Sequence, residues 1–257
     1  MTDEAAWAEF RAKREALDVH PGRLARHRWD AIRRVRIVLV ANEVELCHLI
    51  EAFETNNEFA IEVMRNIGQT GAQELYFNEL FRRMHNYLSA VKMLVEHTRN
   101  LVRNYPGSPF VEEYRERIAS IAARGRGPLL QKLRDYLVHY RIPPFGTAMN
   151  FSRNSETFIV YLDRDAALEF NDWPAAAKAF LQEQPNHIPL TPLVREYSSE
   201  LEDLYTWLFD QFEGLHGADV DAFNALLVDF QGAENTPGHP DYRPLEIVRD
   251  ETASSEP

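Results

Sequence analysis

Three side chains suited to chemistry on phosphate esters lie in one short predicted helix, residues 127–144: Arg134, Asp135 and His139. Cleavage of RNA by transesterification needs a group that exchanges a proton near neutral pH. It also needs a cation that stabilises the charge developing on the phosphate. Histidine suits the first task, and arginine, which stays charged and presents a planar fork of donors, suits the second. The segment is therefore a candidate site for such a reaction.

The spacing of these residues resembles a known motif. Arg134 is followed by the polar residue Asp135 and, after four intervening residues, by His139. This pattern resembles the Arg-x(4 to 6)-His signature of the HEPN superfamily, a group of helical-bundle proteins that includes metal-independent ribonucleases. The resemblance covers roughly residues 23–142. It implies that His139 transfers a proton or orients the ribose 2′-hydroxyl, that Arg134 holds the phosphate, and that Asp135 positions them. It also implies a homodimer in which two such segments meet across a cleft, in a protein of the toxin or defence type.

Helical geometry limits how these residues can act together. Five helical steps turn the chain by about 500°, so Arg134 and His139 point about 140° apart around the axis. They are not neighbours on one face, although an arginine side chain is long enough to fold toward the histidine. Tyr136 and Tyr140 lie one turn apart and are candidates to stack on RNA bases, with packing inside the protein as the alternative.

A run of arginines upstream is a second candidate contact with RNA. Six arginines fall within fourteen residues, opposed only by Asp30, and they are Arg23, Arg26, Arg28, Arg33, Arg34 and Arg36. We predict that Arg26 and Arg33 contact RNA. The alternative is a solvated helix face that pairs with the acidic C-terminal half. Residues 1–141 carry 22 basic and 19 acidic side chains, whereas residues 142–257 carry 6 and 21. Residues 1–141 are therefore suited to binding a polyanion such as RNA, whereas residues 142–257 would repel one.

The helix around Arg134 also has a purely structural explanation. In that alternative Arg134 and His139 lie at the margins of a buried helix, whose apolar face consists of Leu130, Leu133, Leu137 and Tyr140. The protein would then be a non-enzymatic helical interaction protein that binds a protein partner or a second copy of itself.

A metal site is a weaker alternative. Glu45 with His48 and Glu213 with His216 are two Glu-x-x-His pairs, the spacing that ferritin-like bundles use for a di-iron site. At this composition about one such pair is expected by chance, so two pairs are slight evidence. We therefore assign no metal and no other cofactor.

The composition predicts a globular protein. The chain has 257 residues, 45% of them hydrophobic, enough to bury a sizeable core. Its longest apolar run falls far short of the roughly 20 residues that a membrane span needs, so we expect no membrane partner. The single Cys47 cannot form an internal disulfide, and the acidic N-terminus does not resemble a secretory signal. These features predict a cytoplasmic location.

The periodicity of apolar residues predicts a mainly α fold, an up-and-down helical bundle with a small β-hairpin and a C-terminal helical extension. The hairpin strands are expected at 147–151 and 157–162, the only strand signal in the chain. The predicted segments are an N-terminal helix, the HEPN-like bundle, the hairpin, the helical extension and a disordered tail, at residues 1–20, 21–144, 145–163, 164–232 and 233–257.

Two long helices of the bundle are expected at residues 23–54 and 71–105. The first has an apolar stripe of Ile32, Val35, Leu39, Leu46, Leu49 or Ile50, and Phe53. It is apolar nearly all round at residues 37–41, which predicts burial on several sides. A helix of the C-terminal extension, expected at 191–215, has a broad face of Leu193, Val194, Tyr197, Leu201, Leu204, Tyr205, Leu208 and Phe212. We expect it to end near Gly214 and Gly217, before a last helix at 218–230.

Overall fold

The computed structural model describes residues 3–65, 71–151 and 156–234. Within these ranges the fold is mainly α, as predicted, with a small antiparallel sheet. The elements in chain order are α1 (Asp3–Val19), α2 (Pro21–Thr55), α3 (Asn57–Arg65), α4 (Ala72–Val102), α5 (Pro109–Ala123), α6 (Arg126–His139), β1 (Phe145–Phe151), β2 (Glu156–Asp163), α7 (Arg164–Leu168), α8 (Ala175–Glu183), β3 (His187–Pro189) and α9 (Leu190–Glu234).

The predicted hairpin is confirmed. β1 and β2 pair antiparallel, with Phe145 opposite Leu162 and Phe151 opposite Glu156. A third strand, β3, adds to the other edge of β2 and pairs Tyr161 with Pro189. The expectation that the hairpin holds the only strands was therefore wrong. A strand of three residues that ends in proline carries no alternation to detect, and proline is tolerated at a sheet edge because it lacks a donor.

The chain forms two compact units. The larger unit consists of residues 30–211, and the smaller unit consists of residues 1–29 together with 212–257. In the smaller unit Phe10 stacks on Phe230 with ring centroids 5.0 Å apart. Gly22 lies so close to α9 that a Cβ atom there would overlap the carbonyl oxygen of Asp219. Glycine is therefore required where the two backbones meet.

The core of the larger unit is built from α2, α4 and α9. The predicted stripe on α2 is buried, with Ile50 filling the position that Leu49 or Ile50 was expected to take. The whole predicted face of α9 is buried as well. Two pairs of hydroxyl groups join α4 to α9 inside this core, Tyr205 with Thr98 at 2.6 Å and Tyr87 with Ser198 at 3.2 Å. Pairing satisfies polar groups whose burial would otherwise be unfavourable.

Two expectations about the long helices were wrong. α9 does not end near Gly217 but continues as one helix to Glu234. A side chain added at Gly214 would meet open space, so this glycine weakens the helix only through its backbone entropy, about 1 kcal/mol.

The apolar residues of α2 between 37 and 41 are not buried on several sides, because Ile37, Val38 and Val40 are exposed.

The predicted disordered tail lies outside the described residues from position 235 onward, as do the turn residues 152–155. Positions 233 and 234 belong to α9.

None of the described helices is both long enough and apolar enough to cross a membrane.

Candidate functional site

Helix α6 carries the candidate residues, and its start is fixed by a glycine. Gly125 caps the helix with a φ of 79°, in the left-handed region. A Cβ atom there would also overlap the carbonyl oxygen of Ala176, in α8. Both the backbone conformation and the close approach therefore require glycine, and together they fix α6 against α8.

The buried face of α6 differs from the one expected. It consists of Leu129, Leu130, Leu133 and Tyr136. Leu137 is only half-buried, and Tyr140 is 52% exposed. The difference arises because Phe170 and Trp173, two aromatic residues between α7 and α8, pack against Tyr136 and bury this edge of the helix.

Tyr136 is therefore not accessible for stacking on a base, contrary to the prediction. Its ring is fully buried and stacks nearly parallel on Trp173, with centroids 5.8 Å apart. Its hydroxyl accepts a 2.6 Å hydrogen bond from Nε of Arg141. Tyr140 packs edge-on against Tyr136 at 5.0 Å but keeps about half of its surface open. Of the two tyrosines, only Tyr140 could contact RNA in this conformation.

Arg134 and Asp135 form an ion pair at the surface. Their Nη1 and Oδ1 atoms lie 3.6 Å apart, and Nζ of Lys132 lies 4.0 Å from the other oxygen of Asp135. Two cations thus share one carboxylate, which leaves a local surplus of positive charge. Nε of Arg134 is buried and has no hydrogen-bond partner among the described residues, although part of the side chain is exposed. The guanidinium of Arg134 therefore keeps a donor, Nε, that no acceptor among the described residues satisfies.

His139 is the last residue of α6 and is exposed. No hydrogen bond or ion pair joins it to Arg134 within the described residues, and Arg134 pairs with Asp135 instead. The two residues are five helical steps apart, as the sequence required, and so they point to different sides of the helix. The structure thus brings Arg134 and Asp135 together and leaves His139 separate and open to solvent.

The two arginines predicted to bind RNA lie in different units. Arg26, in the smaller unit, donates a 2.6 Å hydrogen bond to Oδ1 of Asn224 and lies over the ring of Phe223. Arg33, in the larger unit, is largely exposed and lies 3.4 Å from Asp30. Arg33 therefore shares the larger unit with α6, while the guanidinium of Arg26 already contacts its own unit.

A cavity of about 340 Å³ opens beside α6, between α4, α5 and α9. Its volume lies near the lower end of the range typical for small-molecule sites. Lys132 and Asp135 belong to its wall, and so do Lys92 and Arg99 of α4. The last two share the carboxylate of Glu96, at 2.9 and 2.8 Å. The wall therefore carries Lys92 and Arg99, which share one acid, and Lys132, which shares Asp135 with Arg134 outside the cavity.

Apolar and aromatic side chains form the interior of this cavity, among them Tyr114, Ile118 and Tyr197. The hydroxyl of Tyr197 accepts a 3.3 Å hydrogen bond from Nε2 of Gln131. Burial raises the pKa of Tyr197 to about 12, and it raises the pKa of Tyr114 as well. Both phenols are therefore neutral at physiological pH, and the cavity offers a neutral interior behind a cationic rim.

Sequence reasoning missed Lys92, Arg99 and Lys132 as site residues. Lys92 and Lys132 lie forty positions apart in the sequence, and only the packing of α4 against α6 brings them to one rim. The spacing of Lys92, Glu96 and Arg99 indicates no more than a paired helix surface.

Arg141 was missed as well. Besides Tyr136, it contacts the carboxylate of Glu169 at 2.8 Å. The hydrogen bond to Tyr136 and then the contact with Glu169 raise the pKa of Arg141. Its position just after the helix gives no sequence signal for these contacts.

Among the described residues, no group of three or more His, Cys, Asp and Glu side chains is placed to hold a metal ion. The two Glu-x-x-His pairs lie in different units, Glu45 and His48 in the larger and Glu213 and His216 in the smaller.

Comparisons of this chain with protein-family models, with curated proteins and with solved structures found no match.

Proposed function

We propose that this protein binds RNA at α6 and acts there as an HEPN-like, metal-independent endoribonuclease. The observation that carries the proposal is that Arg134 and His139 are both accessible on a helix whose opposite face is anchored in the core. Burial of both side chains would have excluded contact with a substrate. A rigid helix that presents a guanidinium and an imidazole provides the two groups that the reaction needs.

Phosphate binding is supported by the charge around Asp135. Arg134 and Lys132 share this single carboxylate, so an incoming phosphate meets two cations and one anion. The guanidinium of Arg134 can present two parallel donors to phosphate oxygens. The local surplus of positive charge contrasts with the net charge of -12 of the whole chain, and it would direct a polyanion to this surface.

His139 would act on the protons of the reaction. In transesterification the ribose 2′-oxygen attacks phosphorus, the bond from phosphorus to the 5′-oxygen breaks, and a 2′,3′-cyclic phosphate forms. The 2′-hydroxyl loses a proton and the departing 5′-oxygen gains one, so no metal or oxidant is consumed. An exposed imidazole can accept the first proton or supply the second.

The cavity would hold a base of the RNA. Its neutral interior, with Tyr114 and Ile118, suits the flat face of an unstacked base, and Lys92 and Lys132 at the rim would face the adjoining phosphates. Stacking on aromatic side chains is a common way to bind single-stranded RNA. We therefore propose single-stranded RNA as the substrate class, in a reducing cytoplasm.

A homodimer would complete the site. Arg134 and His139 of one chain diverge around the helix axis by about 140°, which is unfavourable for joint action on one phosphate. Two copies of α6 brought together by one RNA strand would place the Arg134 of one beside the His139 of the other.

The test is an RNA cleavage assay with the purified full chain, mixed single-stranded RNA and excess EDTA. Arg134→Ala and His139→Ala are compared with the wild type after their helix content has been verified. Arg115→Ala and His97→Ala are matched controls, since both side chains are exposed in the larger unit and neither lines the cavity. We expect cleavage by the wild type and by both controls, and a loss of at least a hundredfold in each α6 variant.

No cleavage by the wild type, or cleavage that all four variants retain, would overturn the proposal. The second pattern is that of a contaminating nuclease.

A second candidate function is a non-enzymatic helical interaction protein. The specific observation in its favour is the exposed apolar surface of α2 around Ile37 and Val40. A protein of this kind would associate with a partner and would neither bind nor cleave RNA, so the same assay distinguishes it from the ribonuclease.

A further inference from the structure

Helix α2 has two apolar faces on opposite sides. One is the buried stripe that includes Leu39 and Leu46. The other, which we call the outer stripe, consists of Ile37, Val40, Ala41 and Val44, with spacings of three and four. At 100° per residue, Ile37 and Leu46 point about 180° apart. Ile37, Ala41 and Val44 therefore lie opposite the side by which α2 joins the core of the larger unit, and Val40 lies toward α9, where it lines a cavity with Ser198 and Glu202.

The outer stripe is open to solvent. Ile37 is 59% exposed, Val40 is 49% exposed and Val44 is 44% exposed, and Ala41 between them is exposed as well. Single exposed apolar residues are ordinary, but a contiguous row on one helix face is typical of an interface. A helix with apolar residues on both sides is expected to be covered on both.

Two charged residues border the outer stripe. Arg34 precedes Ile37 by three positions, and Glu45 directly follows Val44. They are eleven steps apart, so they lie within about 20° of each other around the axis and about 16 Å apart along it. That separation is too large for an ion pair within one chain. Both side chains are exposed, and neither forms an ion pair within the described part of the chain, although Arg82 interacts electrostatically with Glu45 and Arg83 donates a hydrogen bond to the backbone carbonyl of Glu45.

We propose that a second copy of this chain packs antiparallel on the outer stripe, with the twofold axis close to Val40 and Ala41. In this arrangement Arg34 of each copy lies beside Glu45 of the other, and the two ion pairs border a shared apolar centre. In a parallel arrangement the twofold axis would carry Arg34 and Glu45 of the second copy to the opposite side of the interface, where neither meets its counterpart. The charge pattern thus selects both the partner and the orientation.

This dimer is independent of the proposed ribonuclease. No residue of the outer stripe belongs to α6, and association can be measured in the absence of RNA. Failure of the dimer would leave the cleavage assay unaffected, and failure of cleavage would leave the dimer standing.

The first experiment measures the mass of the full chain by sedimentation equilibrium. We expect twice the mass of one chain for the wild type and the mass of a single chain for Val40→Glu. Leu75→Glu is the matched control, because Leu75 is an exposed apolar residue of α4 in the same unit and lies outside the stripe. The control should remain a dimer.

A charge exchange then tests the orientation. Arg34→Glu and Glu45→Arg each convert two attractive pairs into two repulsive ones, and each should raise the dissociation constant about tenfold or more. The double variant restores opposite charges only in the antiparallel dimer, and its dissociation constant should return to within about threefold of the wild type. No recovery in the double variant would overturn the antiparallel arrangement.

A disulfide provides a second, independent measurement. The Ala41→Cys variant places two thiols beside the twofold axis, and mild oxidation should link the chains covalently. The wild type is the control, since its single Cys47 is buried. A monomeric wild type with a freely reactive thiol in this variant would overturn the proposal. So would a monomer in which that thiol is protected, because another part of the same chain would then cover the stripe.

Discussion

Nε of Arg141 donates a hydrogen bond of 2.6 Å to the hydroxyl of Tyr136, five residues earlier. The acceptor belongs to a fully buried ring, while the donor comes from the residue that follows the last turn of α6. His139 and Tyr140 lie between the two ends of this bond. The contact therefore restrains the segment that carries the proposed proton-transfer group, and it explains how an exposed helix end can hold a defined position.

Removing the acceptor should loosen this helix end. Tyr136→Phe keeps the ring and its packing on Trp173 but leaves Arg141 without its buried partner. We expect the free energy of unfolding to fall by about 1 kcal/mol, since the bond involves a charged donor that is partly exposed. Chemical denaturation measured by circular dichroism provides the value.

Tyr140→Phe is the matched control for this prediction, because Tyr140 is half-exposed. Its unfolding free energy should stay within about 0.5 kcal/mol of the wild type. An equal loss in both variants would mean that the bond from Arg141 does not stabilise the helix end.

The apolar pattern predicted the cores of the long helices because their buried stripes follow one periodicity without interruption. It failed on α6, where Leu137 was expected inside and Tyr136 lies there instead. The choice between these neighbours depends on Phe170 and Trp173, more than thirty residues away in the sequence. Local spacing contains no information about such distant packing partners.

In the candidate site too, local spacing predicted some residues, and others depended on tertiary packing. Arg134 and His139 were proposed from their types and spacing, and the structure leaves both side chains accessible. The cations at the cavity rim were not found, because Lys92 comes from a different helix and only tertiary packing places it near Lys132. The continuation of α9 past Gly214 was missed for a related reason, since local glycine signals are weaker than the packing of the helix as a whole.

The thiol of Cys47 should be unreactive in the folded protein. Burial, together with the nearby carboxylate of Glu43, raises its pKa to about 11, so little thiolate exists at pH 8. We expect alkylation by iodoacetamide at pH 8 to be at least a hundredfold slower in the native protein than in the protein unfolded with urea. Mass spectrometry of the modified fraction over time gives both rates. Similar rates in the two states would show that the thiol is accessible.

Glu54 should make stability decrease as the pH rises. Burial raises the pKa of Glu54 above its ordinary value of 4.5, although the hydrogen bond from the amide of Val160 opposes this. Folding therefore favours the protonated form, so its contribution is complete below pH 4.5 and is lost as the pH rises through the raised pKa.

Glu54→Gln keeps an acceptor for the amide of Val160 but cannot ionise. The variant should have a higher Tm than the wild type at pH 7, and this difference should disappear near pH 4. Calorimetry at the two pH values measures it. Glu74→Gln changes an exposed carboxylate and should show no such pH-dependent gap. A Tm of Glu54→Gln below that of the wild type at pH 7 would contradict the sign of this effect.

Glu200 should be important for stability because it is a buried carboxylate. It accepts hydrogen bonds from Arg126 at 2.6 Å and from Arg124 at 3.3 Å. Glu200→Ala leaves the largely buried guanidinium of Arg126 with only Glu196, and we expect a loss of about 2 to 3 kcal/mol. Glu196→Ala removes the exposed partner and should cost less than about 1 kcal/mol. Equal losses in urea denaturation would show that burial of Glu200 does not matter.

Lys132 should contribute one phosphate contact if RNA binds beside α6. Each contact with a phosphate of a single strand releases condensed counterions, so the logarithm of the binding constant falls with the logarithm of the salt concentration. Lys132→Gln should reduce the magnitude of this slope by about 0.7, without changing the preference among RNA sequences.

Arg115→Gln removes an exposed cation that does not line the cavity and should leave the slope unchanged. Fluorescence anisotropy with a labelled oligonucleotide at several salt concentrations gives the slopes. If both variants lower the slope equally, RNA binds through the general charge of the protein and not through the rim of this cavity.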